Sequence, residues 1–330
     1  MRIINDFNHF KSKKEKLVLA LGNFDGLHLG HQKLLQYVAG QARKHQARAA
    51  VFTFKDHPQS VLHPKGKPFL LHSLGQKLFL LAQAGMDYCF LQSFTPNFSK
   101  MSAEDFVKKV LVQKLHVLEV CMGHGARFGC AREGDAHLMK KLAKRYGFFF
   151  KEMAPVKMGG LTVSSTLIRK WVIEGELGKA AKGLGRPLSV FGRIIRGRGH
   201  GGTLGFPTAN LEVDHPASLP LGVYIASARF LPQGIFREAE REVKAKKNLA
   251  PWLPGVLNFG RRPTFPEAQT PRPILELHLL DFKGQLYGKN MEVALHAFIR
   301  PETRFPNDEA LKVQIAADVR KAKAYHKKRF

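Results

Sequence analysis

The sequence predicts a two-domain α/β protein, in which a parallel sheet covered by helices is followed by a small antiparallel β-barrel and a C-terminal helix. Three observations support this prediction. Short apolar runs alternate with helical patterns through the first half, which is typical of a parallel sheet buried on both faces. Runs of β-forming residues separated by turns fill the second half, as in small barrels. Glycine and proline cluster at residues 183–187, where the alternating strand and helix patterns give way to strand patterns.

Length and composition agree with two packed cores. The chain has 330 residues, of which 44% are hydrophobic, so it is long enough for two domains and too apolar for wholesale disorder. We place the predicted boundary in the glycine-rich stretch, with one domain over 1–184 and the other over 185–330.

The first half divides into alternating elements. Helical spacing of Leu74, Leu78 and Leu81 indicates a helix over 73–84, and Ser102 opens a capping box for a helix through 115. A further helix is expected over 135–146. Apolar runs predict strands at 18–20, 49–54, 86–91, 117–122 and 148–153.

The pattern of the second half predicts strands up to about residue 299 and a helix after it. Asn307 opens a last helix in which Leu311, Ile315 and Val319 are spaced for one buried face. Residues 233–251 form a charged insertion, expected to be a mobile loop or a short helix. β-like runs occur at 190–195, 223–230, 256–259, 274–282 and 291–299.

Cysteine usage and hydropathy exclude several classes of protein. Three cysteines without Cys-x-x-Cys spacing argue against a disulfide scaffold or a structural zinc site, and Cys89 and Cys121 lie in apolar runs typical of a core. No apolar run approaches the roughly 20 residues of a membrane helix, and the first residues lack a signal-peptide pattern. We therefore expect a cytoplasmic protein without a membrane partner.

The charge is extreme. Lys and Arg number 53 against 26 Asp and Glu, giving a net charge of +27. Such a field attracts polyanions, among them nucleic acids and ATP-type substrates. No nucleic-acid-binding motif accompanies the charge, so we expect at most nonspecific nucleic-acid binding.

The most informative motif is the run from Leu21 to His31, Leu-Gly-Asn-Phe-Asp-Gly-Leu-His-Leu-Gly-His. It reads as the end of a buried strand, a glycine turn and the start of a helix. A helix N-terminus attracts phosphate, and His28 and His31 share one helical face from which they can donate to phosphate oxygens. His-x-Gly-His in this context is the signature of Rossmann-like nucleotidyltransferases. A plain glycine turn with two surface histidines is the alternative.

A second glycine loop occupies residues 197–202 and is followed at once by Leu204-Gly205-Phe206-Pro207-Thr208-Ala209-Asn210. The glycine loop alone is weak evidence, but its pairing with Pro-Thr-Ala-Asn is specific. Three further segments continue the order, Leu221–Tyr224, Asn258–Phe265 and Leu275–Phe282.

With these motifs in this order, the chain resembles the prokaryotic bifunctional riboflavin kinase/FAD synthetase family over nearly its whole length. The first half resembles the FMN adenylyltransferase module through residues 22–31 and Val163-Ser164-Ser165-Thr166-Leu167-Ile168-Arg169. The second half resembles the riboflavin kinase module through residues 205–210, 258–265 and 275–282 and Phe298-Ile299-Arg300. The resemblance implies ATP and Mg²⁺ as co-substrate and cofactor, riboflavin as substrate, and FMN and FAD as products.

For adenylyl transfer, the resemblance implies that the FMN phosphate attacks the α-phosphorus of ATP and expels pyrophosphate. His28 and His31 would serve the α-phosphate, and Arg169 would neutralise the pyrophosphate. Ser164, Ser165 and Thr166 would bind β- and γ-oxygens, although ordinary helix N-capping explains them equally. The remaining implied residues are Gly22, Phe24, Asp25, Gly26 and His57 for ATP, and Arg127 and Phe128 for flavin.

For the kinase, the resemblance implies that Glu276 is the general base for riboflavin's 5′-hydroxyl. The alternation of residues 275–279 also fits a strand carboxylate facing solvent. Thr208 and Asn210 would hold Mg²⁺, with turn capping as their alternative role. The other implied residues are Gly197, Gly199, Gly205, Pro207 and Asn210 for ATP phosphates, and Arg300 for flavin.

Three positions depart from the family pattern. Lys55 replaces the first acid of Phe-Asp-Pro-His-Pro, and Gly125 replaces an Asp or Asn in Gly-x-Asp-Phe-x-Phe-Gly. Gly201-Gly202 stands where an Arg commonly ends the kinase loop, and Arg198 is a candidate substitute. Two alternatives therefore stay open, namely a riboflavin kinase with a weakened adenylyltransferase half and a basic nucleic-acid-binding protein on the same scaffold.

Overall fold

The computed structural model of the chain describes residues 1–7, 10, 15–59, 69–196, 204–213, 219–232, 242–243, 249–261 and 273–328. Predicted site residues Gly197 and Gly199, the Gly201-Gly202 departure and all of the charged insertion except Glu242, Val243 and residues 249–251 lie outside these ranges.

The chain divides into two compact units. The first runs from Met1 to Ser165 apart from Leu71–Ser73, and Glu242 and Val243 join it. The second contains Leu71–Ser73 and the other described residues from Thr166 onward. The insertion thus contributes to the first unit, where the Met1 ammonium donates a hydrogen bond to the Val243 carbonyl at 2.8 Å. The predicted boundary at 184/185 remains a prediction.

The first unit is built on a six-stranded sheet with the order β1-β4-β3-β2-β5-β6, in which every pairing is parallel. This confirms the predicted parallel sheet. The strands are β1 (Arg2–Ile4), β2 (Leu17–Leu21), β3 (Arg48–Phe54), β4 (Tyr88–Gln92), β5 (Val117–Gly123) and β6 (Phe149–Met153); a hairpin of β7 (Lys157–Met158) and β8 (Leu161–Thr162) follows.

Helices cover both faces of the sheet. The described helices of this part are α1 (Leu29–Lys44), α2 (Leu74–Gln83), α3 (Pro96–Ser99), α4 (Ala103–Asp105) with its π-helical continuation Phe106–Val112, and α5 (Ala136–Tyr146). One core cluster joins Leu19 and Phe52 to Phe106, and another joins Val18 and Val51 to α1. All five residues of β2 are buried because apolar side chains pack on both of its faces.

The strand order reverses direction between β2 and β5, since β3, β4 and β1 extend the sheet one way and β5 and β6 the other. Leu21 at the end of β2 lies opposite Met122 in β5. In open α/β sheets, ligands bind beyond the carboxyl ends of the strands at such a switch point. The loop after β2 therefore lies where the fold favours a ligand.

The second unit contains a closed barrel with the order β10-β13-β12-β11-β14-β9, all antiparallel. This confirms the predicted barrel. Its strands are β9 (Leu188–Ile195), β10 (Ala209–Val213), β11 (Gly222–Phe230), β12 (Leu253–Arg261), β13 (Pro273–Leu279) and β14 (Asn290–Pro301), and its helices are α6 (Ser165–Ile173), α7 (Leu177–Leu184) and α8 (Asp308–Lys327).

The last helix begins where predicted, with the Asn307 side chain accepting a hydrogen bond from the Ala310 N–H at 2.9 Å. Its most buried residues, however, are Asp318, Ala322 and His326 rather than the predicted Leu311, Ile315 and Val319, which are only partly buried. All of these residues follow one helical stripe, and Val319 packs against the cluster of Val223, Ile225 and Val256, so the predicted face is the buried one. Its most deeply buried polar groups have partners, because Asp318 pairs with Arg300 and His326 contacts the Ala226 carbonyl.

Other differences from the sequence prediction are local. Ser102 caps its helix as predicted, but the helix continues as π-helix and ends at Val112, before residue 115. Strands β1 and β10 were not predicted as separate strands, since β1 is three residues long and β10 lies within the Pro-Thr-Ala-Asn motif. Cys89 and Cys121 are buried core residues, as predicted. Among helices in the described ranges, none has the length and apolarity needed to cross a bilayer.

Candidate active sites

The turn that follows β2 has an unusual backbone. Phe24, Gly26 and Leu27 have φ values of 53°, 80° and 38°, in the left-handed region that side-chain-bearing residues rarely occupy. Phe24 and Leu27 are 1% and 2% exposed, so burial of these two side chains holds the strained turn in place. Strain of this kind is concentrated at ligand-binding segments.

Helix α1 begins directly after this turn. His28 is its N-cap residue and makes no side-chain capping hydrogen bond, and His31 lies in the first turn. The two imidazole rings stack with centroids 3.7 Å apart, and the Phe24 ring meets His31 edge-on at 5.2 Å. The structure therefore brings together the two histidines that the motif predicts, at a helix N-terminus whose dipole favours an anion.

Packing against His28 explains why residue 30, the third position of His-x-Gly-His, is a glycine. A Cβ atom at this position would lie 3.1 Å from Cε1 of His28. The imidazole of His28 thus lies over the glycine, and a larger residue would push the ring away from its stacked position.

Two side chains anchor the turn through its carbonyl groups. The Thr53 hydroxyl donates to the Asn23 carbonyl at 3.1 Å, and the Ser165 hydroxyl donates to the Asp25 carbonyl at 2.8 Å. Both bonds orient carbonyl oxygens of the turn toward the neighbouring segments that carry Thr53 and Ser165. Ser165 is also the first residue of α6, so this contact brings the start of the second predicted phosphate-binding segment to the first one.

The other predicted residues of this segment are placed by the helix itself. Ser164 precedes α6 and is half-buried, Thr166 is exposed, and Arg169 follows Ser165 by one helical turn and is half-buried. Thr166 and Arg169 belong to the second compact unit, and their predicted contacts with nucleotide remain predictions.

His57 lies after β3 and is half-buried. Its Nδ1 atom accepts a hydrogen bond from the Gln59 N–H at 3.3 Å. In a neutral ring the proton then resides on Nε2, which is thereby a hydrogen-bond donor. Lys55, the departure from the family pattern, is exposed beside it.

The loop after β5 lies on the other side of the switch point. Gly125 has a φ of +70°, and the place of its missing Cβ is open space. Asn and Asp tolerate this conformation better than other side chains, so the family's acid and this glycine suit the same backbone. Relative to the family pattern, the position lacks one side-chain oxygen.

Arg127 and Phe128 have different surroundings in this loop. Arg127 is exposed and pairs with Asp135 at 3.3 Å, and the hydrogen bond from the Leu138 N–H is the main cause that lowers the pKa of Asp135. Phe128 is 7% exposed and packs in the core against Phe106. Phe128 therefore anchors the loop, and its predicted flavin contact remains a prediction.

The barrel carries a row of polar residues on three neighbouring strands. Glu276 in β13 lies directly opposite Asn210 in β10 and directly opposite Asn258 in β12. Opposite residues of adjacent strands share one face of the sheet, with Cβ atoms about 5 Å apart. Leu275 and Leu277 are buried on the other face, so the carboxylate stands outside the barrel interior between two amides.

The segment before β10 approaches the same row. Gly205 takes a φ of +87°, and Pro207 and the half-buried Thr208 lead into the strand. Nδ1 of His278 donates a hydrogen bond to the Pro207 carbonyl at 2.9 Å, because a carbonyl can only accept. The motif's turn is thus attached to β13 two residues beyond Glu276.

Arg300 forms an ion pair with Asp318 of the last helix. Its Nε and Nη2 atoms both lie 2.9 Å from Oδ2 of Asp318, whose side chain is 3% exposed, and Nη1 donates to the Pro301 carbonyl at 3.2 Å. The guanidinium is therefore oriented by α8, and its predicted flavin contact remains a prediction.

Sequence reasoning assigned no role to several residues that shape these sites. Asn258, His278 and Thr53 became visible only through strand register and hydrogen bonds, although the first two lie in quoted motifs. Within the part of the chain that the structure describes, no three His, Cys, Asp or Glu side chains form a ready-made metal site.

The fold and these sites define a transferase with two nucleotide-handling units, one a Rossmann-like nucleotidyltransferase and the other a kinase-type barrel. A family model for FAD synthetase matches residues 10–167, and one for riboflavin kinase matches residues 184–326. The chain belongs to the bifunctional riboflavin kinase/FMN adenylyltransferase family.

Curated relatives of that name cover the whole chain. The Escherichia coli K12 protein is 35% identical over 319 residues, which are 96% of each chain. The Haemophilus influenzae protein is 33% identical over 325 residues, 98% of this chain and 99% of the relative. A solved structure described as a macrolide-efflux protein from Streptococcus pneumoniae shares the fold, with a TM-score of 0.80 and 24% identity over 97% of this chain and 98% of that one.

Proposed function

We propose that this chain phosphorylates riboflavin to FMN on the barrel and adenylylates FMN to FAD at the carboxyl edge of the parallel sheet, with ATP as co-substrate in both steps. The observation that carries the proposal is the presence of two separate sets of residues. One is the stacked His28–His31 pair at a helix start, and the other is Glu276 between Asn210 and Asn258. We assign the first activity-bearing region to 1–184 and the second to 185–330.

In the adenylyltransferase half, the attacking group is the FMN phosphate, which is already anionic. The protein then needs to position two anions and to stabilise charge on the α-phosphate, rather than to generate a nucleophile. His28, His31 and the α1 N-terminus suit the α-phosphate. Ser164, Ser165, Thr166 and Arg169 suit the leaving pyrophosphate, and Arg127 suits an anionic or flavin group at the β5 loop.

In the kinase half, the attacking group is a neutral alcohol. Glu276 would accept the proton of riboflavin's 5′-hydroxyl as its oxygen attacks the γ-phosphorus, and ADP would leave. The flanking amides of Asn210 and Asn258 keep the carboxylate in a polar setting. A row of this kind is less expected for a carboxylate that merely faces solvent.

Mg²⁺ fits the residues beside this row. It takes few protein oxygens together with phosphates and water, and Thr208 and the 7%-exposed Asn210 offer a hydroxyl and an amide oxygen next to Glu276. Bound there with ATP, it would neutralise charge on the β- and γ-phosphates. Gly205 and Pro207 would shape the turn that covers those phosphates.

The cytoplasm is the compartment we propose, because both reactions consume ATP. The net charge of +27 supports weak, nonspecific binding of nucleic acid at most. A fluorescence titration with an unrelated duplex at increasing salt tests this, and tight binding that survives physiological salt would contradict it.

The decisive experiment incubates the purified chain with Mg-ATP and either riboflavin or FMN, and separates riboflavin, FMN and FAD by chromatography. We expect FMN and FAD from the first mixture and FAD with pyrophosphate from the second. His28→Ala and His31→Ala should each remove FAD formation and leave FMN formation intact. His45→Ala, an exposed histidine at the other end of α1, is the matched control.

Two outcomes would contradict the proposal. If the protein forms FMN from riboflavin but makes no FAD when FMN is supplied, it is a riboflavin kinase only. The missing side-chain oxygen at Gly125 would be in line with that result. Loss of both activities in a folded His28→Ala protein would argue against two independent sites.

A further inference from the structure

Lys77 lies at the carboxyl edge of the sheet, although no motif includes it. It belongs to the first turn of α2, which begins the crossover from β3 to β4. Its Nζ atom donates a hydrogen bond to the Phe54 carbonyl at 2.7 Å. Phe54 is the last residue of β3, so the ammonium is held where the strand ends and the segment that carries His57 begins.

The surroundings of this ammonium are acidic and poorly hydrated. Burial lowers the pKa of Lys77, and three groups act in the opposite direction, namely Cys89 in β4, Asp25 in the turn after β2 and Asp56 after β3. Asp25 is itself 6% exposed. The negative charge of Asp25, in the strained turn, therefore favours the protonated form of Lys77.

The physical problem at this edge is an excess of negative charge. The edge already holds Asp25, and ATP would bring several more negative charges to it. A cation that is desolvated before the substrate arrives acts more strongly than one in water, because the local dielectric is low. It also needs no reorganisation during the reaction.

We propose that Lys77 is a positioning residue for adenylyl transfer, which fixes the Phe54 carbonyl at the start of the His57 segment and supplies positive charge beside Asp25. The hydrogen bond acts on the loop after β3, and the charge acts on the turn after β2. It acts through these loops and not on the reacting atoms. The inference rests on the proposed adenylyltransferase activity of the first half.

A purely structural lysine predicts a different behaviour. If the side chain served only to fill space, methionine would replace its stem with little effect on catalysis. If its charge and hydrogen bond matter, Lys77→Met should reduce FAD formation, and Lys77→Arg should restore part of it.

The experiment measures kcat and KM for ATP in FMN adenylylation for wild type, Lys77→Met and Lys77→Arg. We expect Lys77→Met to lower kcat/KM by about tenfold to a hundredfold, the range that misplacement of a site by about 1 Å produces. Lys109→Met is the matched control, because Lys109 is 59% exposed and pairs only at the surface with Asp105. Circular-dichroism melting reports whether each variant is folded, and riboflavin phosphorylation by the same preparations reports whether the effect is confined to FAD formation.

The pH profile of FAD formation, measured for wild type and for Lys77→Arg, gives a second test. Because the ammonium is the required form, FAD formation should fall at a pH below the usual lysine range of about 10.4. In Lys77→Arg this limb should move to higher pH, since a guanidinium stays protonated.

The outcomes separate the two claims. Wild type that makes no FAD from FMN removes the proposed function and this inference with it. Wild type that makes FAD, together with a Lys77→Met protein within about twofold of it, overturns only this inference. Equal losses in Lys77→Met and Lys77→Arg, with an unmoved alkaline limb, would also overturn it.

Discussion

The Ser165 hydroxyl donates a hydrogen bond to the main-chain carbonyl of Asp25 at 2.8 Å, across 140 residues of sequence. This contact joins the start of α6 to the strained turn that precedes α1. Both segments carry phosphate-binding sequence signals, and neither signal indicates that they touch. The bond therefore attaches Ser165 of one motif to the turn of the other.

Ser165→Ala should weaken adenylyl transfer specifically. Loss of one part-buried hydrogen bond is worth about 1 kcal/mol, and a shifted turn would add to it, so we expect kcat/KM for FAD formation to fall about tenfold. Riboflavin phosphorylation should not change. Ser99→Ala removes a comparable bond at 2.8 Å, to the Pro96 carbonyl at an exposed helix end, and serves as the control. Equal FAD formation by the Ser165 variant and wild type would refute the role.

Glu276→Gln should separate the two activities. Without a base, phosphorylation of riboflavin should slow by at least about a hundredfold, whereas FAD formation from supplied FMN should persist. Both rates are measured on one preparation by chromatography of the flavins. The control is Glu212→Gln, an exposed carboxylate on the neighbouring strand β10. A kinase rate close to wild type would return Glu276 to the role of a solvent-facing strand residue.

Asp318→Asn should destabilise the second unit. Asp318 and Arg300 have side chains that are 3% and 17% exposed, and removing one partner of a buried pair costs about 3 kcal/mol. Both tryptophans, Trp171 and Trp252, belong to this unit, so urea unfolding followed by tryptophan fluorescence measures its free energy of unfolding.

The matched control for that change is Asp281→Asn. Asp281 pairs at 2.9 Å with Lys323, which lies on α8 as Asp318 does. The side chains of Asp281 and Lys323 are 78% and 51% exposed. An exposed pair contributes less than about 1 kcal/mol. Equal effects of the two substitutions would show that burial does not set the strength of the Arg300–Asp318 pair.

Tyr37→Phe should change the alkaline stability of the first unit. Burial, followed by the 2.9 Å hydrogen bond to Glu119, raises the pKa of Tyr37 to about 12. An unfolded tyrosine ionises near pH 10, so between about 10 and 12 the native state holds more protons and the free energy of unfolding falls by up to about 1.4 kcal/mol per pH unit.

Phenylalanine has no hydroxyl proton to titrate. The free energy of unfolding of the Tyr37→Phe variant should therefore fall less than that of wild type between about pH 10 and pH 12. Denaturant unfolding followed by circular dichroism at several alkaline pH values measures the slope. Tyr287→Phe, which removes an exposed tyrosine of the second unit, should leave the slope as in wild type. An unchanged slope in the Tyr37 variant would contradict the prediction.

The sequence by itself determined the fold class and the order of most elements, and it supplied the residues of the two predicted sites. These features are local: apolar periodicity marks strands and helices, and the His28–His31 spacing places both rings at one helix start. The departures at Lys55 and Gly125 were also visible in the sequence, since they depend on residue identity alone. The family comparison agrees with the resemblance that these motifs carry.

Only the tertiary structure decided which distant groups meet. Strand register placed Glu276 between Asn210 and Asn258, and the crossover from β3 brought Lys77 to the Phe54 carbonyl. Apolar spacing predicted the buried stripe of α8, but only the structure showed that Asp318 on that stripe pairs with Arg300. The physical reason is that periodicity records which side of an element avoids water, whereas register and polar pairing depend on a partner far away in the chain.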